Sequence, residues 1–286
     1  MSIKRILVPM LGGDDDAAAL SAALAIAKPA GGHVDALFIA ADPREAVVYD
    51  TYASAYLIEQ IMQAAAEASA KRRQATRAVF DKLVAEHGAT LSDKPGKSGL
   101  TASYVERTGA EDRWVIHHGR LCDLIVLGQT PKRDPADLGL AREAALRESG
   151  RPVLLTPRAL PSGFAKTIAI AWNGSIEAAR CVGFAMPLLE QAAKIVLLTV
   201  EGDTRYGPKA AELGEYLAWH GIATVVQSLP AAGHDQGKAL LAAAQKHGAD
   251  LMLLGAYTRG ELRRLVFGGV TGALLADSSL PLLMMH

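Results

Sequence analysis

The sequence predicts two tandem α/β domains, each a doubly wound parallel sheet of the Rossmann-like type. Three observations lead to this fold class: short continuous apolar runs, helical stretches between them, and an internal repeat. Continuous apolar strands separated by helices are typical of a parallel sheet that is covered on both faces. The helical stretches include 178–192 and 237–248, where apolar residues recur with a helical period.

The internal repeat consists of four pairs of matching segments. In chain order the pairs are "KRILVPMLGG" (4–13) with "KTIAIAWNGS" (166–175), "HVDALFIA" (33–40) with "AKIVLLTV" (193–200), "RLCDLIVLGQ" (120–129) with "HGADLMLLGAY" (247–257), and "SGRPVLLTP" (149–157) with "SSLPLLMMH" (278–286). The offset falls from 162 to about 128 residues, so the first copy carries some 34 extra residues between its second and fourth strands. We therefore expect one domain at 1–157 and a second at 164–286, joined by the proline- and glycine-containing segment "TPRALPSGF".

Composition excludes several classes of function. The 286 residues carry 30 Lys and Arg against 30 Asp and Glu, which leaves no basic footprint for nucleic acid or an anionic membrane. No apolar run reaches the roughly 18 residues that a membrane span requires. The first residues lead into a strand instead of a signal peptide, and the two cysteines lie far apart. We therefore expect a cytoplasmic protein.

The binding site is expected at the carboxyl ends of the strands, where doubly wound sheets hold their ligands. In the second copy, strand one runs into "WNGS" at 172–175 and strand four ends at Gly255. Gly268 and Gly269 precede a helical run, so their backbone N–H groups can face an anion at a helix start. The alternative is structural: Gly255 only turns the chain, and the glycine pair is a hinge.

The segment 255–271, "GAYTRGELRRLVFGGVT", resembles the nucleotide-binding segment of the universal stress protein family. That family's pattern is G-x2-G-x9-G-[ST], and Gly255 and Gly268 fall on its first and third positions. The "WNGS" turn is similar to the family's strand-one ending, which is usually Asp-Gly-Ser. Because the similarity spans both copies, the chain is identified as a tandem member.

The resemblance implies binding of an adenine nucleotide, ATP with or without Mg²⁺, in the second copy. By position it assigns Asn173, Gly174 and Ser175 to the nucleoside, and Val200, at the end of strand two, to the adenine. It assigns the phosphates to Gly255, Gly268, Gly269, Val270 and Thr271. Three residues depart from the family pattern.

Thr258 stands at the second glycine position, where Gly260 two residues later can take up the bend instead. Gly269 replaces a hydroxyl residue but keeps its backbone N–H. Asn173 replaces an Asp and keeps an acceptor without the charge.

The first copy departs further from the pattern. After Gly128, Pro131 takes the second glycine position and Ala141 takes the third, while Leu11 stands in place of the Asp. No nucleotide is therefore expected there. The acidic run 14–16 is interpreted as a helix cap.

The extra residues form a long helical stretch, interpreted either as packing or as a lid or partner surface that covers the first site or binds a small apolar ligand there. Its tyrosine row at 49, 52 and 56 is interpreted as packing, and its basic run 71–73 as a solvated face.

The leading hypothesis is a stress-response or signalling module whose activity is nucleotide binding. Two alternatives stay open: a scaffold with both sites degenerate, and an enzyme such as a slow ATPase or a nucleotidyl transferase. Against catalysis, no lysine is placed for the β- and γ-phosphates and no nucleophile with its base is recognisable. The expected partners are an adenine nucleotide and an unidentified protein, not nucleic acid or membrane.

The final strands of the two copies, 152–156 and 281–285, are apolar and would leave exposed edges. They should pair with each other in an internal pseudo-dimer, and a homodimer remains open.

Overall fold

The computed structural model describes residues 3–42, 55–95, 98–129, 139–157, 164–202, 207–231, 236–256 and 278–286. The chain divides into two compact units. We call residues 3–127 and 140–149 the N-terminal unit, and residues 1–2, 128–139 and 150–286 the C-terminal unit.

The sheet of the N-terminal unit is wholly parallel, with strand order β3-β4-β2-β1-β5. Its elements are β1 (Arg5–Met10), α1 (Asp16–Ala27), β2 (His33–Ala40), α2 (Ala55–His87), β3 (Thr90–Leu91), β4 (Thr101–Thr108), α3 (Glu111–Gly119), β5 (Leu124–Gly128) and α4 (Leu140–Glu148).

The sheet of the C-terminal unit has strand order β6-β11-β10-β7-β8-β9. Its elements are β6 (Val153–Thr156), β7 (Thr167–Ala171), α5 (Ile176–Leu189), β8 (Lys194–Val200), α6 (Ala210–Ala218), β9 (Val225–Leu229), α7 (Gln236–Lys246), β10 (Leu251–Gly255) and β11 (Leu282–Met285). All neighbours are parallel except β6, which runs antiparallel to β11.

The central strands are buried over both faces. Residues 6–8 in β1 and 251–254 in β10 are at most 4% exposed, although neighbouring side chains on a strand point to opposite faces. Helices must therefore cover each sheet on both sides, which explains the apolar runs without alternation. The predicted fold class is confirmed.

The two units start their first strands in the same way. Asp123 Oδ2 accepts hydrogen bonds from the backbone N–H groups of Lys4 and Arg5, at 2.8 and 2.9 Å. Asp250 Oδ2 accepts the equivalent bonds from 166 and 167 at 3.0 and 3.1 Å. This explains why an aspartate stands before the apolar run in each repeat.

The two final strands of the repeats pair with each other, as predicted. In the β6–β11 ladder Leu155 lies opposite Leu282, Leu154 opposite Leu283, and Val153 opposite Met284. The β6 strand, which closes the first repeat in the sequence, belongs to the C-terminal unit.

The extra residues of the first repeat include α2, a helix of 33 residues. Phe80 is fully buried, and the Thr76 hydroxyl lies 2.7 Å from the Tyr104 hydroxyl on β4. Tyr56 is 72% exposed, so the packing interpretation of the tyrosine row is wrong for this residue. Residues 49 and 52 lie outside the described part of the chain.

Candidate functional site

The turn after β7 is held by its own side chains. Asn173 Oδ1 accepts a hydrogen bond from the Ser175 backbone N–H at 3.1 Å, and Gly174 adopts a φ of 72°. Ser175 Oγ accepts a hydrogen bond from the Ala178 backbone N–H at 3.2 Å and so caps α5. The acceptor atoms of both polar side chains therefore already have internal partners.

Gly255 ends β10 and lies against the first turn of α5. A Cβ added at this position would lie 2.7 Å from the Ala178 backbone nitrogen and 3.0 Å from the Glu177 Cβ. Helix packing therefore requires the absence of a side chain at Gly255, whether or not a phosphate also approaches. This contact also brings the end of β10 next to the turn after β7.

The loop before α6 packs directly on the same turn. Trp172 is buried and donates its Nε1–H to the Pro208 carbonyl at 2.8 Å. A Cβ at Gly174 would lie 2.9 Å from that carbonyl, and a Cβ at Gly207 would collide with the Gly174 carbonyl. Gly207 and Pro208 were not predicted to lie at this site, although a Gly-Pro pair before a helix is a recognisable turn signal in the sequence.

The charges around this turn influence where phosphates can lie. Glu177 is 4% exposed and lies in the first turn of α5, at the positive end of the helix dipole. A polyphosphate at the same helix end would lie close to this acidic residue. Val200 is half-buried at the end of β8, beside the predicted position of the adenine.

The remaining predicted contacts lie in the segment 257–277, outside the described residues. They are Thr258, Gly260, Gly268, Gly269, Val270 and Thr271. The structure thus brings together the turn at 173–175 and Gly255, while the phosphate positions stay predictions.

In the N-terminal unit, a carboxylate occupies the loop after β1. Asp16 accepts hydrogen bonds from the backbone N–H groups of Leu11 and Gly12, at 3.1 and 2.7 Å. Burial raises the pKa of Asp16 to about 6, and these two bonds only partly offset that effect. The prediction that the acidic run caps α1 is wrong in detail. The side chain of the N-cap residue Asp15 makes no capping hydrogen bond, and Asp16 accepts its hydrogen bonds from the preceding loop.

The same loop is covered by Arg72 of α2. A Cβ added at Gly12 would collide with the Arg72 side chain. The guanidinium donates to the Ile39 carbonyl at 2.7 Å and to Glu111 Oε1 at 3.2 Å, and it lies 5.5 Å from the centre of the Phe38 ring. The solvated-face interpretation is therefore wrong for Arg72, while the lid interpretation of the extra residues fits.

The third glycine position of the first copy is also filled. Ala141 lies in α4 and is 2% exposed, and next to it the buried Arg142 guanidinium lies 4.0 Å from Asp15 Oδ2. Protein side chains thus occupy the loop that would face a ligand in this unit. These contacts agree with the expectation that the N-terminal unit binds no nucleotide, which stays a prediction.

The fold and these turns define a tandem Rossmann-like α/β protein with its candidate site at the carboxyl ends of neighbouring strands. The model of the universal stress protein family matches residues 2–157 and again 165–286. The chain therefore belongs to the universal stress protein family, as a tandem member.

Individual relatives agree with this assignment. A universal stress protein of Synechocystis sp. is 28% identical over 168 residues, which cover 56% of this chain and 57% of that relative's length. The solved universal stress protein of Archaeoglobus fulgidus aligns with 99% of this chain and 96% of its own at 16% identity, with a TM-score of 0.69. A functionally unknown protein of Pseudomonas aeruginosa aligns with 99% and 92% at 15% identity and a TM-score of 0.57. At these identities the two structures show the fold alone.

No helix of the described ranges is long and apolar enough to cross a membrane.

Proposed function

We propose that the protein binds ATP in its C-terminal repeat and acts in the cytoplasm as a stress-response or signalling module. The observation that carries this proposal is the convergence of two loops at one sheet edge. The turn Asn173–Ser175 and Gly255 both contact the start of α5, and in the family pattern Gly255 begins the nucleotide-binding segment.

The described residues fit the nucleoside end of such a ligand. The Asn173 side chain is half-buried, and no hydrogen bond engages its Nδ2 group within the described ranges, so two donors remain for a ribose or base. Val200 supplies apolar surface at the end of the neighbouring β8. The buried Glu177 disfavours phosphates at α5, which agrees with assigning them to residues 268–271.

The scaffold alternative also has a specific observation behind it. Asn173 Oδ1 is used within its own turn, and Gly255 is required for packing, so both features would persist in a protein that binds nothing. Equilibrium binding separates the two hypotheses. We regard binding, not turnover, as the activity, and timed release of ADP or pyrophosphate tests the enzymatic alternative.

The decisive experiment is an ATP titration by calorimetry with Gly268→Val. If the backbone N–H groups at 268–270 hold phosphate oxygens, the branched side chain removes charge-assisted bonds, each worth about 1.5–3 kcal/mol. Affinity should then fall about tenfold or more. The matched control is Gly183→Val, since Gly183 lies on the exposed face of α5 with open space around it.

A gain-of-function variant complements this loss. Thr258→Gly combined with Gly269→Ser restores the family pattern and should tighten binding. Circular dichroism confirms that each variant is folded. Equal ATP affinity in the wild type and Gly268→Val would mean that ATP binds elsewhere in the protein, whereas no measurable binding in any variant would favour the scaffold.

The regulatory part of the proposal concerns a protein partner. The nucleotide is expected to change the affinity for that partner, or for a second copy of the chain. Sedimentation of the purified protein with and without ATP measures the second case directly. A monomer mass in both samples would exclude the homodimer.

A further inference from the structure

A cavity opens at the amino-terminal edge of the N-terminal sheet, by the first residues of β1, β2 and β4. Its volume is about 460 Å³, and its lining includes Lys4, Arg5, His33, Asp35 and Lys94. Doubly wound sheets bind their usual ligands at the other edge, so the nucleotide site does not account for this cavity.

One face of the sheet presents a polar cluster to the cavity. Arg5 is paired with His33 across β1 and β2, and His33 with Thr101 across β2 and β4. Asp35 and Ser103 lie two residues further along and are paired with each other. Because residues two apart share a face of a strand, all five side chains project on the same side.

The centre of the cluster is the buried carboxylate of Asp35. Arg5 Nε donates to its Oδ2 at 2.6 Å, while Ser103 Oγ and His33 Nε2 lie 2.8 and 3.0 Å from its Oδ1. Burial alone would raise the pKa of Asp35, but hydrogen bonds from His33, Arg5 and Ser103 outweigh it and hold the pKa well below its usual range. The carboxylate is therefore charged at neutral pH, which fixes the orientation of Arg5.

The C-terminal unit shows that the fold does not require this cluster. The strand-start bonds to Asp250 are present there. At the equivalent register positions, however, Thr167 replaces Arg5 and the pair Val196–Val225 replaces Asp35–Ser103. Burying a charged group is costly without a compensating role, so the N-terminal cluster calls for another explanation.

Arg5 is positioned to bind an anion. Its side chain is 49% exposed, and only Nε is engaged, since no hydrogen bond reaches either Nη nitrogen within the described residues. The two Nη groups form a fork that suits the two oxygens of a carboxylate or phosphate. Two lysines also line the cavity: Lys4, whose Nζ donates to the Ala30 carbonyl, and Lys94. With Arg5 the lining therefore contains three basic side chains and two acidic ones, Asp35 and Asp93.

We propose that this cavity binds a small molecule through a carboxylate or phosphate group, with Arg5 as the principal anchor and Lys4 and Lys94 beside it. The Asp35 carboxylate acts as a positioning group that holds the guanidinium ready. This site is independent of the nucleotide proposal, because it lies in the other unit and at the other sheet edge.

The test is a titration followed by amide NMR, with inorganic phosphate in one arm and succinate in the other at constant ionic strength. Saturable shifts at Gly31, Gly32 and Lys94 are expected in at least one arm, and the arm that responds identifies the preferred anion. The double variant Arg5→Thr/Asp35→Val introduces the residues of the C-terminal unit at these two positions and removes both members of the ion pair. It should bind about tenfold more weakly or worse, because the charge-assisted bonds are lost.

Two further variants keep the result interpretable. Lys94→Gln changes an exposed loop residue and should weaken binding severalfold without disturbing the fold. Lys166→Gln changes the counterpart of Lys4 in the unit that lacks the cluster, and should have no effect. Absence of saturable shifts around the cavity in both arms, or equal affinity in Lys94→Gln and the double variant, would overturn the proposal.

Discussion

Replacing Asp16 with asparagine should change how the stability of the protein depends on pH. Asp16 is 7% exposed, and burial raises its folded-state pKa from 3.8 to about 6. A raised pKa means that the folded state holds the proton of this carboxyl group more tightly than the unfolded state. Stability from this group is therefore fully present below about pH 4 and is lost as the pH rises through about 6.

The magnitude follows from the size of the shift. A difference of about two pKa units corresponds to about 3 kcal/mol of unfolding free energy. An asparagine side chain cannot titrate, so the unfolding free energy of the wild type relative to Asp16→Asn should fall by about that amount between pH 4 and pH 7. The part of the difference that does not change with pH measures the loss of one hydrogen bond. An asparagine side chain has a single acceptor oxygen, so it cannot accept from both the Leu11 and the Gly12 backbone N–H groups.

Urea unfolding at four pH values between about 4 and 7 measures this difference. The control is Asp14→Asn, which removes an acidic charge from the same run at an exposed position. Carbon NMR of the Asp16 carboxyl group gives the pKa independently of the unfolding mechanism. A difference between wild type and Asp16→Asn that stays constant across this range, or a carboxyl that titrates near the ordinary value of about 4, would refute the reasoning.

Two further variants test the packing of the candidate sites. Gly255→Ala places a Cβ 2.7 Å from the Ala178 nitrogen and should destabilise the protein by about 1–3 kcal/mol, whereas Gly183→Ala, in open space, should be neutral or slightly stabilising. Arg72→Met loses two charged hydrogen bonds from a partly buried site and should cost about 1.5–3 kcal/mol, whereas the exposed Arg73→Met should cost less than about 1 kcal/mol. Denaturant unfolding checks both pairs, and equal values within either pair would contradict the structural explanation.

The sequence was sufficient for the fold because strand burial leaves a direct pattern. Apolar runs at 6–8 and 251–254 need two covered faces, and the aspartates at 123 and 250 repeat with the strands they precede. Both signals are local. They therefore predict the sheet and its repeat without knowledge of tertiary contacts.

The roles of particular side chains were harder to predict because they depend on distant residues. Arg72 is one of three consecutive basic residues on a helix, and it differs from its neighbours because it contacts Gly12, Ile39 and Glu111, which are distant in the sequence. Gly255 illustrates a second difficulty, since packing against a helix and approach of a phosphate both require a missing side chain. The His33 and Asp35 pair was readable as two polar residues on one face of an apolar strand, but its partners Arg5 and Ser103 come from other strands.

The register of the β6–β11 ladder has a consequence for assembly. Leu154 lies opposite Leu283, which is its own counterpart in the second repeat, and the flanking pairs are arranged symmetrically about it. Two separate identical chains could form the same ladder through this strand, but only at concentrations above their dissociation constant. Joining the strands in one polypeptide replaces that dependence with a fixed effective concentration, about millimolar for a short linker. The pairing therefore survives dilution to levels at which a single-repeat protein would separate into monomers.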